Sequence, residues 1–185
     1  LCWNIPETAT TTDMFTDSSG SISAKSAYAM ADSAALQTAV GAWCSDSTSA
    51  ASTYGHIKCW DTSAVTDMSL LFSRYDADWN DVGGLYCSSY DTFDDDISAW
   101  QTSSVTNMLS MFGGATSFNG DVSNFDTRSV TDLGYMFSYA TSFNGDVSNF
   151  DTSSVTNMAW MFYNAQAFNG DVSNFDTSSV TTMQG

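Results

Sequence analysis

The side chains of this 185-residue chain that offer chemistry are mostly carboxylates, hydroxyls and aromatic rings. Four aspartates, Asp96, Asp121, Asp146 and Asp171, recur 25 residues apart. If the chain returns on itself with that period, they stack as a column of like charges one strand spacing apart. A hard cation such as Ca²⁺, which takes about six to eight oxygens, would relieve their repulsion. The alternative is that each closes its own turn and points into water, as expected for the second column, Asp126, Asp151 and Asp176. A third column, Ser110, Tyr135 and Trp160, varies while its neighbours stay fixed. With Tyr139 and Tyr163 it sets aromatics on an outer face, as a sugar- or protein-binding strip requires, unless they pack against adjoining turns.

Catalytic chemistry is poorly supplied. The sole His56 stands where four later copies of the repeat carry Asp, and the chain has one Glu (Glu7) and two Arg (Arg74, Arg128). No nucleophile elbow, HExxH or phosphate loop is present. The expectation is therefore a protein that is not an enzyme. Twenty-one acidic residues against four Lys plus Arg give a net charge of −17, which argues against a nucleic-acid partner. Cys2, Cys44, Cys59 and Cys87 match no compact zinc or CxxC spacing. They read as two disulfides, with three pairings open, or as four buried thiols in a reducing compartment.

Hydrophobic residues (43 %) and aromatics (14 %) suffice for a packed core. Few cations with much Asp, Ser and Thr is a composition common in secreted and surface chains, so an extracellular location is expected. No apolar run reaches the roughly 20 residues of a membrane span. The start at Leu1, with no signal-peptide pattern, reads as a processed or excerpted piece.

The element that positions these columns is a 25-residue repeat with units starting at Phe93, Phe118, Phe143 and Phe168. FNGDVSNFDTRSVTDLGYMFSYATS is followed by FNGDVSNFDTSSVTNMAWMFYNAQA, and an earlier copy lies in YGHIKCWDTSAVTDMSLLF, followed by a 15-residue insertion. The fixed apolar positions, among them Val122, Phe125, Phe137, Val147, Phe150 and Phe162, have to be buried against the next copy. The pattern predicts a short strand with a bend near DVSNF, an extended piece near SVTNM, a helical turn over MFxxA, and φ > 0 at Gly120, Gly145 and Gly170. Asn119, Asn144, Asn169, Asn124, Asn149 and Asn174 are expected to form amide ladders. Thr102, Thr127, Thr152, Thr177 and Thr106, Thr131, Thr156, Thr181 give hydroxyl columns. They would suit O-glycans, or an ice-binding array only if they lay on a flat exposed strand. No Asn-X-Ser/Thr sequon occurs, which excludes standard N-glycosylation. Asp32 or Ser33 begins a helix with Leu36, Ala39, Val40 and Trp43 on one face, suited to covering the first coil.

Over about residues 53–183, apart from the insertion, these units resemble the BspA-like leucine-rich repeat surface proteins, whose signature looks like FNxDxSxWDTSxVTxMxxMFxxA. That resemblance implies a secreted or surface module used in adhesion or matrix contact, with no enzymatic activity. The expected fold is thus a leucine-rich-repeat-like solenoid of right-handed coils, with short parallel strands and helical turns under an N-terminal helical cap. Its expected parts are a Ser/Thr-rich arm (1–24), a helical cap (25–52), and about five repeats (53–185) with an insertion within 73–92 and an incomplete last unit. The expected function is structural or adhesive, with surface proteins or glycans as partners. The alternatives are a filament or matrix subunit self-associating through an uncapped end, and a Ca²⁺-dependent or glycan-binding module.

Overall fold

The computed structural model describes residues 27–185. The expected arm (1–24) and Cys2 lie outside them. Helix α1 (Ser33–Ser45) starts where Asp32 accepts a hydrogen bond from the Ala35 amide at 2.8 Å, and it buries Leu36, Ala39, Val40 and Trp43. Asp46 ends α1 and caps helix α2 (Ser47–Tyr54), taking the Thr48 and Ser49 amides at 3.1 Å. Gly55, at φ 74°, stops α2, and a single 3-10 turn follows at Ile57–Cys59. Trp43 meets the edge of Trp60 at 5.8 Å, and the Met30 amide donates to the Asp61 carbonyl, so α1 sits on the first coil.

The described residues contain no β-strand and no sheet, which overturns the expected strand-based, leucine-rich-repeat-like fold. In place of strands, the described coils share one isolated parallel bridge per turn, running Asp67, Asn107, Asp132, Asn157, Thr182. DVSNF is a tight turn and not a bent strand: the Phe125 amide donates to the Val122 carbonyl at 3.0 Å. Three-residue spacing therefore brings both side chains inward.

The expected helical turn over MFxxA is also absent. In the second coil the amides of Met108, Ser110, Phe112 and Gly114 donate to the next coil, at Asp132, Gly134, Met136 and Ser138. The amides between them, of Met111, Gly113 and Ala115, donate three residues back within the coil. Half the donors are thus spent across coils, and a helix has none to spare. Met108, Met111, Phe112 and Ala115 are nonetheless all buried, so the burial pattern matches a helix face while the backbone does not.

The core is a double ladder of phenylalanines. Within a coil the rings pair at 3.8 Å (Phe72 with Phe93, Phe137 with Phe143), 3.9 Å (Phe112 with Phe118) and 4.0 Å (Phe162 with Phe168). Between coils Phe72, Phe112, Phe137 and Phe162 stack at 5.5–5.7 Å. The pairing of Phe72 with Phe93 keeps register across the insertion. Val122, Phe125, Phe137, Val147 and Phe150 are buried, whereas Phe162 is partly exposed beside the unit that starts at Phe168.

Gly120, Gly145 and Gly170 do not have the expected positive φ. Their requirement is space: a Cβ would come within 2.7–2.8 Å of the ring of Phe118, Phe143 or Phe168. Between coils, the buried Thr102, Thr127 and Thr152 hydroxyls donate to the carbonyls of Asp126, Asp151 and Asp176 at 3.0–3.1 Å. The exposed Thr106, Thr131, Thr156 and Thr181 hydroxyls donate backward to the preceding coil. Asn119 and Asn144 accept the amides of Asn144 and Asn169 through their side-chain oxygens at 2.8 Å.

Candidate functional site

The aromatic column becomes a strip through the insertion. Asp76 takes the amides of Asp78 and Asn80 at 2.9 Å, and the Trp79 amide donates to the Asp76 carbonyl at 3.1 Å. Arg74 clasps Asp81 at the base of this turn, its Nε donating at 2.9 Å. The turn lays Trp79 against Tyr135 with ring centroids 3.7 Å apart, and Tyr75 within 6.3 Å of Tyr139. Tyr139 then meets Tyr163 at 5.3 Å, and Tyr163 meets Trp160 at 4.8 Å. Tyr139 and Tyr163 are exposed, by 36 % and 45 %.

The second coil has no aromatic in this strip, and that is what admits the loop. It carries Ser110, Gly113 and Gly114, and a Cβ on Gly114 would come within 2.7 Å of Arg74 Cβ and 3.4 Å of the Tyr75 ring. The predicted strip of Tyr135, Tyr139, Trp160 and Tyr163 is therefore brought together, and Tyr75 and Trp79 join it. Sequence reasoning missed these two; the signal was the Gly113–Gly114 pair where later units carry Ser138–Tyr139 and Tyr163–Asn164.

The backbone beneath these rings is unusual. Trp79 (φ 61°), Tyr135 (57°), Tyr139 (57°) and Trp160 (55°) all lie in the left-handed region, as do Leu70, Ser110 and Asn164. A bulky residue there costs about 1–3 kcal/mol unless its surroundings hold it, and glycine would fit without strain. Each coil imposes this conformation through its alternating hydrogen bonds, yet glycine is used only at Gly114, under the loop. Hydrogen bonding with Tyr163 raises the Tyr139 phenol above its ordinary pKa. The side-chain bond from Asn80 holds Asp76 low, and the Arg74 guanidinium does the same to Asp81.

The aspartate column is aligned but not gathered. Asp121, Asp146 and Asp171 each accept the amide two residues on, from Ser123, Ser148 and Ser173, at 2.9 Å. Asp96 pairs with Lys58 and accepts from Ser98. Lys58 and then Ser98 bring its pKa down to about 2. The hydrogen bonds of Asp121 outweigh the repulsion from Asp96 and Asp146, and its pKa is lowered. Among the described residues no three His, Cys, Asp or Glu side chains come together to hold a metal ion. His56 accepts the Lys58 amide at 3.3 Å and packs against Trp43. Of the three pairings left open, the structure contains Cys44–Cys87, tying the end of α1 to the insertion; Cys59 is also disulfide-bonded.

A polar cleft of about 370 Å³ between α1 and the insertion is lined by Trp43, Asp46, Ser89, Thr92 and Asp95. Its carboxylates are committed: Asp95 accepts the Trp43 indole at 2.7 Å, and Asp46 caps α2. The aromatic strip is the stronger site.

A family model described as "Mycoplasma protein of unknown function, DUF285" matches residues 30–83 and 80–185. The chain belongs to this family. No curated protein and no solved structure matches it. The two matched stretches of this DUF285 chain meet within the insertion, so the repeats on both sides of the aromatic loop lie inside the family pattern. No helix among the described residues is long and apolar enough to cross a membrane.

Proposed function

We propose that the chain is a non-catalytic extracellular module that adheres to its partner through the strip formed by Tyr75, Trp79, Tyr135, Tyr139, Trp160 and Tyr163. The observation that carries this reading is the placing of four of these rings on left-handed backbone where glycine would be unstrained. The coil sets the same conformation at the buried Leu70 and Ser110, but in later coils and in the loop it is kept under half-exposed or exposed rings, and strain retained at such positions is characteristic of recognition surfaces. Rings held on a rigid coil lose little freedom on binding. The Cys44–Cys87 disulfide supports an oxidising, extracellular setting. The resemblance of the repeat to BspA-like surface proteins points the same way.

The test is a binding panel of immobilised matrix proteins and polysaccharides, comparing the wild type with Tyr139→Ser/Tyr163→Ser. Both sites are exposed, so the variant is expected to fold. Binding to some panel member that falls at least tenfold in the variant supports the reading. Equal binding by the two proteins, or none by either, overturns it.

A further inference from the structure

We infer that the strip takes a neutral polysaccharide, an inference that rests on the adhesive reading above and names its ligand. The rings form a narrow track across the coils: Trp79 to Tyr75 at 4.9 Å, Tyr75 to Tyr139 at 6.3 Å, Tyr139 to Tyr163 at 5.3 Å and Tyr163 to Trp160 at 4.8 Å. These centroid steps are close to the length of one pyranose residue, with successive rings tilted or edge to face, at 33°, 51°, 77° and 88°. A pyranose offers an apolar C–H face to a ring and hydroxyls at its rim. Here the Tyr139 and Tyr163 phenols, which also bond each other, keep spare hydrogen-bonding capacity at the exposed part of the track, while Asp76 and Asn80 are spent on holding the loop.

Charge decides against acidic glycans. The chain has a net charge of −17, and every Lys and Arg among the described residues is already paired: Lys58 with Asp96, Arg74 with Asp81, Arg128 with Asp126. Among the described residues no unpaired cation is left to meet a uronate or a sulfate, which the whole-molecule field repels. Along the track, the Arg74 charge that lies over Tyr75 is neutralised by Asp81. A folded protein partner needs roughly 800 Å² on each side, a broad patch and not a track one ring wide. An uncharged, extended sugar chain meets all of these constraints.

The experiment is native gel electrophoresis of the intact chain through gels containing soluble β-glucan, galactomannan, hydroxyethylcellulose or, as the acidic control, polygalacturonate. Titration followed by tryptophan fluorescence gives the affinity, since Trp79 and Trp160 lie in the track. Retardation by at least one neutral polymer, with affinity at least tenfold weaker in Tyr139→Ser/Tyr163→Ser and in Trp79→Ala, is the expected result. Tyr163→Ser alone, at an exposed position, keeps the test valid if Trp79→Ala disturbs the loop. Retardation by polygalacturonate alone, by no polymer, or equally in wild type and variants overturns the inference. If the neutral polymers fail while the same variants lose binding to a matrix protein, the ligand class falls and the adhesive strip stands. If the variants lose nothing anywhere, both fall.

Discussion

Phe137 has no solvent exposure and is stacked on Phe112, Phe143 and Phe162 at once. Phe137→Ala is expected to lower stability by about 3–5 kcal/mol, read from urea unfolding, because rings stacked on both sides leave the site little room to collapse. The same rigidity makes Gly145→Ala unfavourable. The new methyl would lie 2.8 Å from a Phe143 ring held between Phe118 and Phe168, and a loss of about 1–3 kcal/mol is expected. A loss below 0.5 kcal/mol, taken as roughly the limit for an uncrowded surface change, would show that the ring yields. Which residues are buried was legible in the sequence, because repetition at 25 residues marks the inward columns directly. The reason for the repeated glycine was not: an Asn-Gly-Asp stretch reads as a positive-φ turn, and only the ring two residues earlier reveals a steric requirement.

The element scale is where sequence and structure part. Spacing of i, i+3, i+4, i+7 predicts a helical turn over MFxxA, yet alternating hydrogen bonds give inward side chains the same spacing on a non-helical backbone. Periodicity reports which way side chains face and not how the amides are satisfied. The left-handed positions follow from that backbone and yield a test of the strip. Tyr139→Gly, which restores the glycine of the preceding coil's Gly114, should leave stability unchanged or raise it by up to about 1 kcal/mol while abolishing ligand binding. A fall of more than about 1 kcal/mol in thermal unfolding would make Tyr139 a packing residue instead. The insertion is the other element whose role was missed, since a 15-residue insertion does not itself say what it covers and the only sign lay 20 residues or more downstream, in Gly113 and Gly114. Its tie to α1 is measurable. Cys44→Ser/Cys87→Ser opens a loop closed across 43 residues, and the chain-entropy model gives a loss of about 4 kcal/mol. Faster hydrogen exchange in residues 75–92 than in the central coils should accompany it.

For the whole molecule, a net charge of −17 suggests that acid should stabilise the fold by removing repulsion. The hydrogen bonds of the coils argue the reverse. The carboxyls of Asp121, Asp146 and Asp171, and those of Asp126, Asp151 and Asp176, all titrate below the ordinary value. Most are lowered by bonds from the serine two residues on and Asp126 by Arg128; repulsion from neighbouring coils raises some of them by less. A folded-state pKa below the unfolded value means that the native chain binds fewer protons than the unfolded one as pH falls. The stabilisation is therefore fully present above the unfolded value of about 4 and is lost as the pH drops through the folded values, which for Asp96 is about 2. The melting temperature should fall steadily between pH 5 and pH 2 even though the net charge vanishes within that range, near pH 4.1. Substituting Ser123, Ser148 and Ser173 together by alanine should flatten that fall in part, because the side-chain donors to Asp121, Asp146 and Asp171 are then gone while the amide donors at the same positions remain. A melting temperature that rises on acidification would mean that repulsion along the aspartate columns exceeds the turn bonds, and that a counter-cation is needed at neutral pH after all.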